Sequence, residues 1–197
     1  METSISDALP LGVVMNARHA LTRAGLATLM VLTVGGTASA STQGSLGSTS
    51  TGSVSISASI PSRVRISGLS DVAFTNVDPT VDASNAQNVC VWSNTGTHGY
   101  QLTASGSGAG SAFTLANASL TVPYTVEWSA TSGQTSGTAL TAGSALTGLT
   151  SAATNSNCAS GPAASASLIV KIGSADLQTM DAATSYTGTL TLLVAPE

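Results

Sequence analysis

The chain has 197 residues, of which only 7% are charged and 4% aromatic, with a formal net charge of −4. Ser, Thr, Gly and Ala dominate while the mean hydropathy is positive, which excludes the polar, highly charged signature of a disordered chain. Beyond residue 40 the cationic side chains are Arg63, Arg65 and Lys171, too few to track a phosphate backbone, so nucleic acid is not expected as a partner. The excess of small, β-compatible and turn-forming residues points to an all-β domain of short strands.

Residues 1–40 read as an export signal. Arg18, His19 and Arg23 form a basic segment, residues 24–34 are apolar, and Ala38, Ser39 and Ala40 make a small-x-small cleavage site. Counted from Met15 the signal has ordinary proportions, which marks Met15 as a candidate start. The apolar run is too short for a membrane span, and no later stretch reaches the required length. Residues 41–61 are expected to be a flexible leader ending in an extended segment, and residues 62–197 a single β-sandwich domain.

Within the leader, residues 41–52 are almost wholly Ser, Thr and Gly, a composition that cannot offset the entropy of ordering. Val54, Ile56, Ala58 and Ile60 then alternate with Ser53, Ser55, Ser57 and Ser59, the period of a half-buried strand. Pro61 ends that run. Val64 and Ile66 alternate with Arg63 and Arg65 up to Gly68, and residues 72–74 predict a short strand. Residues 76–85, with Asp78, Pro79 and Asp82, read as a loop whose aspartates serve turn chemistry rather than calcium.

Cys90 and Trp92, then Tyr100, Leu102 and Ala104, mark two strands joined by a hairpin-like, Gly- and Asn-rich connection. His98 sits in that connection with no nucleophile or carboxylate placed by sequence to work with it. The glycine-rich residues 106–110 lack the lysine and following helix of a phosphate loop and read as a hairpin tip. Phe113 and Leu115 open the next strand. Val122, Tyr124, Val126 and Trp128 alternate after it, with Pro123 on the opposite face arguing for an edge or a bulge. Glu127 has no second carboxylate near it in sequence, so a glycosidase-like acid pair is unsupported.

Residues 129–156 predict weak strands or a loop excursion carrying Leu140, Leu146 and Leu149. Cys158, Gly161 and Pro162 form a turn, and Ala166, Leu168, Val170 and Ile172 another strand. Residues 177–183 suggest one helical turn. The final strand is read over residues 185–194, with Tyr186, Gly188, Leu190, Leu192 and Val194 on one face and Thr187, Thr189 and Thr191 on the other. With no later segment to cover it, this strand is expected to leave an apolar row and an open hydrogen-bonding edge.

In an exported protein the two cysteines, Cys90 and Cys158, are most economically one disulfide, worth roughly 4 kcal/mol in the chain-entropy model for so long a loop. A two-cysteine metal site is the competing reading, and the absence of a ligand cluster around either residue argues against it. No catalytic constellation, metal site or cofactor site emerges, so the chain is not expected to be an enzyme.

About seven short strands with one long-loop disulfide describe an immunoglobulin-like sandwich. Beyond that class, three stretches resemble the spore coat protein U domain family, which includes subunits of archaic chaperone-usher pili: CVWSNTG at 90–96 leading to YQLTASG at 100–106, VPYTVEW at 122–128, and YTGTLTLLVAPE at 186–197. The opening VSISASIP at 54–61 resembles the N-terminal extension of the related alternative fimbriae. This resemblance implies an incomplete sandwich whose missing strand comes from a neighbour. A periplasmic chaperone would fill the slot first, and at the outer-membrane usher the N-terminal extension of the next subunit, identical or related, would replace it. Val54, Ile56, Ala58 and Ile60 would then be the donor, and Tyr186, Leu190, Leu192 and Val194 the acceptor wall, on a cell-surface fimbrium reached through the periplasm.

Two alternatives stay open at this level. Residues 54–60 also fit the first strand of their own sandwich. The chain also fits a stand-alone secreted carbohydrate-binding or adhesive module, in which Trp92, Tyr100, Tyr124 and Trp128 would stack on sugar rings, although their alternation places them more naturally in a core.

Overall fold

The computed structural model describes residues 41–159 and 162–197; the export-signal reading, including Met15, Arg18, His19, Arg23 and the cleavage site at 38–40, lies outside them, as does Gly161. The described residues divide into two units with the boundary between Ser57 and Ala58. In the first, Thr42 and Ser53 exchange backbone hydrogen bonds of 2.9 and 3.0 Å, and every side chain from 41 to 57 is exposed.

The second unit is an all-β sandwich of ten strands: β1 Val64–Ser67, β2 Ala83–Ser93, β3 Gly99–Gly106, β4 Thr114–Asn117, β5 Leu120–Pro123, β6 Thr125–Ser129, β7 Thr138–Ala139, β8 Ala145–Thr150, β9 Ala166–Ile172 and β10 Leu190–Pro196. One sheet has the order β1-β2-β9-β6-β7, the facing sheet β10-β3-β8, and β4-β5 form a separate ribbon. All pairings are antiparallel. A short helix α1, Ser174–Leu177, follows β9. The count exceeds the seven expected because the run read at 122–128 is divided between β5 and β6, and the stretch read as weak strands or a loop excursion supplies β7 and β8.

Between the sheets lie Val89 and Val91 of β2, Tyr100 and Leu102 of β3, Val126 and Trp128 of β6, and Leu168 and Ile172 of β9, all buried. The Trp128 indole N–H donates to the Tyr100 hydroxyl at 3.1 Å across the layers, so the two largest core rings satisfy each other's polar atoms. Burial and the desolvated phenol push the Tyr100 pKa up. β9 sits between β2 and β6, and Ile169 on its other face is also fully buried, which explains its nearly continuous apolar run.

Several expectations are corrected. Residues 72–74 form no strand, although Val72 and Phe74 pack half-buried against the core. β2 begins at Ala83 rather than near Cys90, because pairing with β9 from Ala83–Ile172 to Val89–Ala166 recruits polar residues of weak strand preference. β2 and β3 are not a hairpin: they belong to opposite sheets, and residues 94–98 arch between the layers. The run at 122–128 is split at Pro123, with Val122 in the β4–β5 ribbon and Val126 and Trp128 in β6, which is flanked on both sides. Pro123 lacks a donor N–H and ends β5, while the burial alternation continues through Tyr124 across the break.

The Cys90–Cys158 disulfide is formed. It lies on the outer face of β2 in a satellite cluster with Ala153 and half-buried Trp92, so Trp92 is not in the main core with Tyr100, Tyr124 and Trp128. Beside it, past the end of the β2–β9 ladder, side chains take over from backbone. Ser165 Oγ accepts from Val91 N–H and donates to Val91 C=O, each at 2.8 Å, and Ser151 Oγ also donates to that carbonyl.

Candidate interaction site: an open edge of the sandwich

Most residues that sequence singles out for chemistry prove to be structural. His98 occupies a left-handed turn position (φ 54°) with Nδ1 3.0 Å from the Ser93 carbonyl, a contact that ties the turn to the end of β2. Asp78 accepts from the N–H and hydroxyl of Thr80 at 2.9 and 2.7 Å, a turn that holds its carboxyl below the usual range. Glu127 pairs with Lys171 at 2.7 Å and accepts from Gly137 N–H at 2.9 Å; the lysine contact chiefly holds its pKa low. Among the described residues no three His, Cys, Asp or Glu side chains gather as metal ligands would, and no helix is long and apolar enough to cross a membrane.

The unsatisfied region is one lateral edge. Among the described residues β1 ends the larger sheet and β10 the smaller, each hydrogen-bonded to one neighbouring strand, and the two strands lie close to each other without pairing. Their registers fix which backbone groups are left over. Glu197 N–H donates to Gly99 C=O at 3.2 Å, one step beyond the Pro196–Tyr100 pair, so residues 191, 193 and 195 also turn their amides toward β3. The N–H and C=O of Leu190, Leu192 and Val194 therefore face away from it. On β1, Asn94 N–H donates to Arg63 C=O at 3.1 Å, so Arg65 and Ser67 face β2 while the backbone groups of Val64 and Ile66 face outward. Among the described residues none of these outward groups has a partner.

The side chains tell the same story. Leu190, Leu192 and Val194 on β10, and Val64 and Ile66 on β1, point toward the core yet remain half-buried, with Val72 and Phe74 also incompletely covered. An apolar row open to water between two unpaired edges is the shape an added strand would fill. Pro196 falls at an outward-facing position, where its missing N–H breaks no ladder bond to β3. Gly99 sits where a Cβ would lie 2.6 Å from the Glu197 carbonyl, which lets the end of β10 close against β3.

Of the four residues placed by sequence on the acceptor wall, three line this edge and one does not. Tyr186 precedes β10: Thr187 exchanges hydrogen bonds of 2.8 and 3.0 Å with Ala116, pulling that stretch toward the β4–β5 ribbon, and the Tyr186 hydroxyl accepts from Asp181 N–H at 3.1 Å. Residues 54–60 lie in no strand, and Val54, Ile56 and Ile60 are 71%, 91% and 81% exposed. Sequence reading missed the β1 half of the edge, although its signal, Val64 and Ile66 alternating with arginines, was in view.

No family model matches the chain, and neither does any curated protein. One similar solved structure belongs to work described as "Chaperone-tip adhesin complex is vital for synergistic activation of CFA/I fimbriae biogenesis"; it is 15% identical with a TM-score of 0.44 over 68% of this chain. The chain spans 41% of the length of that neighbour. A likeness this distant does not bear on function.

Proposed function

We propose that this chain is a structural subunit of a chaperone-usher type pilus that polymerises by donor-strand complementation. The observation that carries the reading is the juxtaposition of β1 and β10 as neighbouring sheet edges, each with outward backbone groups unpaired and apolar side chains half-covered. The occupant is the segment around Val54, Ile56, Ala58 and Ile60 of a second copy or a related subunit, whose alternating apolar side chains are exposed and form no strand of their own.

In such a complex the donor strand hydrogen-bonds to β10, β1 or both, and its apolar face covers Leu190, Leu192 and Val194. Burying Val54, Ile56 and Ile60 at about 1.5 to 3 kcal/mol each contributes on the order of 5 to 9 kcal/mol before ladder bonds and ordering costs. A periplasmic chaperone would offer a temporary strand to the same slot before the usher exchanges it for the next subunit, delivering the fibre to the cell surface for adhesion or biofilm formation. The resemblance of residues 54–61 and 186–197 to pilus subunits supports this order of events.

Deleting residues 41–60 tests it. A pilus subunit so shortened still captures its chaperone and a donor peptide but no longer polymerises. A stand-alone adhesive module loses nothing, and that outcome overturns the proposal. The carbohydrate-binding alternative is weakened by burial of Tyr100, Tyr124 and Trp128, which removes three of its four candidate rings from the surface.

A further inference from the structure

A chain that carries both a slot and a segment fitted to such a slot faces a choice between filling its own and filling a neighbour's. We infer that the Asn94 side chain decides it, by holding residues 61–63 extended so that the leader cannot fold back into the slot beside β1. This rests on the donor-strand reading above and specifies how it becomes intermolecular.

Asn94 is half-buried at the point where the chain leaves β2 for the arch. Its Oδ1 accepts from Arg63 N–H at 2.6 Å, its Nδ2 donates to Pro61 C=O at 3.0 Å, and its own backbone N–H donates to Arg63 C=O at 3.1 Å. The side-chain amide thus stands in for the next peptide of β2 after the backbone has turned away. It keeps residues 61–63 in line with β1, with the Pro61 carbonyl and the Arg63 amide and carbonyl directed to the end of β2.

Strand parity makes that restraint decisive. The leader's apolar residues, Val54, Ile56, Ala58 and Ile60, are even-numbered, as are the core-facing Val64 and Ile66 of β1. Residues directly opposite in an antiparallel pair share a face, so a productive fold-back must set even against even. The tightest such hairpin puts Ile60 opposite Val64 and Ala58 opposite Ile66, with Pro61, Ser62 and Arg63 as its loop. Those are the residues the Asn94 amide pins straight.

With residues 61–63 kept extended, the turn must move into the leader. A turn at residues 59–60 sets Ile56 against Arg63 and Val54 against Arg65, on the solvent face. A turn at residues 58–60 sets Val54 against Val64 but uses up Ala58 and Ile60 in the bend. The first register turns every apolar anchor away from the core and the second loses two of the four, whereas a separate chain enters without any such constraint.

The test uses the full exported chain at concentrations below self-association, with a synthetic peptide of residues 53–60 as the probe and size-exclusion or native mass spectrometry as the readout. Four forms are compared: wild type, Asn94→Ala, a leader variant with Val54, Ile56 and Ile60 changed to Ser, and the leader variant combined with Asn94→Ala. Freed to fold back, the leader of Asn94→Ala competes as a tethered ligand, and peptide capture falls about tenfold or more relative to wild type. In the combined variant capture returns to the level of the leader variant alone. If the leader variant itself takes no peptide, the donor-strand reading fails. If it does, and Asn94→Ala captures as wild type does, the role of Asn94 is wrong. A loss in Asn94→Ala that the leader substitutions do not restore reflects damage to the fold and equally overturns the inference.

Discussion

At one lateral edge of the sandwich the chain stitches its own sheets together; at the other it leaves them apart. On the closed side, Leu140 N–H donates to Val126 C=O in the larger sheet at 2.8 Å, and Gly143 N–H donates to Ala104 C=O in the smaller sheet, also at 2.8 Å. The intervening turn, with Gly143 at φ 74°, carries β7 into β8 across the gap, and half-buried Leu140 plugs it. On the open side, β1 and β10 present the same kinds of group, but no described segment runs between them. A sandwich needs an element at each lateral edge that satisfies backbone and covers apolar side chains together. Among the described residues such an element is present on the closed side.

The largest effect that separates the two edges is expected from the leader. Changing Val54, Ile56 and Ile60 to Ser removes about 5 to 9 kcal/mol of apolar burial from the subunit contact and should abolish association in sedimentation or size-exclusion experiments. Since the three side chains are exposed in the monomer, its own stability should shift by less than about 0.5 kcal/mol. Next comes the staple on the outer face. Replacing Cys90 and Cys158 by Ser should lower unfolding stability by about 4 kcal/mol in denaturant titrations. Peptide capture by the molecules that remain folded should be unchanged, because the disulfide lies outside the slot.

Leucine truncations at the two edges sharpen the comparison. Leu140→Ala and Leu192→Ala each remove a half-buried side chain and should cost the monomer about 1 to 3 kcal/mol. Only Leu192→Ala should also weaken donor-peptide capture, by about tenfold, equivalent to roughly 1.4 kcal/mol. The smallest effect belongs to the Glu127–Lys171 pair on β6 and β9, away from the open edge. The Glu127 pKa is lowered by the Lys171 contact, so the pair's contribution is complete above the ordinary glutamate pKa and fades as pH falls through the folded-state value. Glu127→Gln should therefore cost about 0.2 to 1 kcal/mol at neutral pH and nothing in strong acid, measured by thermal unfolding across pH.

What could be read from the residues depended on how local its cause was. β9 and the inward rows of β3 and β6 were visible because strict alternation or a continuous apolar run reports burial directly. The beginning of β2 was hidden, since Ser84, Asn85, Gln87 and Asn88 form a strand only by virtue of β9 beside them. Trp92 was misplaced because its face is set by the position of the disulfide, not by its own hydrophobicity. Tyr186 continues the alternation of β10 but is drawn away by the Thr187–Ala116 bridge, a contact without sequence signature. Half the open edge was legible in Leu190, Leu192 and Val194. The other half required knowing that Val64 and Ile66 end the opposite sheet at the same side of the molecule.

Amide hydrogen exchange on the isolated monomer, with and without the 53–60 peptide, tests the central claim most directly. The outward amides of Val64, Ile66, Leu190, Leu192 and Val194 should exchange quickly in the free monomer while those of Thr191, Leu193 and Ala195 are protected by β3, and the peptide should slow exchange on one or both rows of outward amides. Uniform protection of both sets before the peptide is added, or outward amides that ignore it, would mean that this edge is already satisfied and that no second chain is needed.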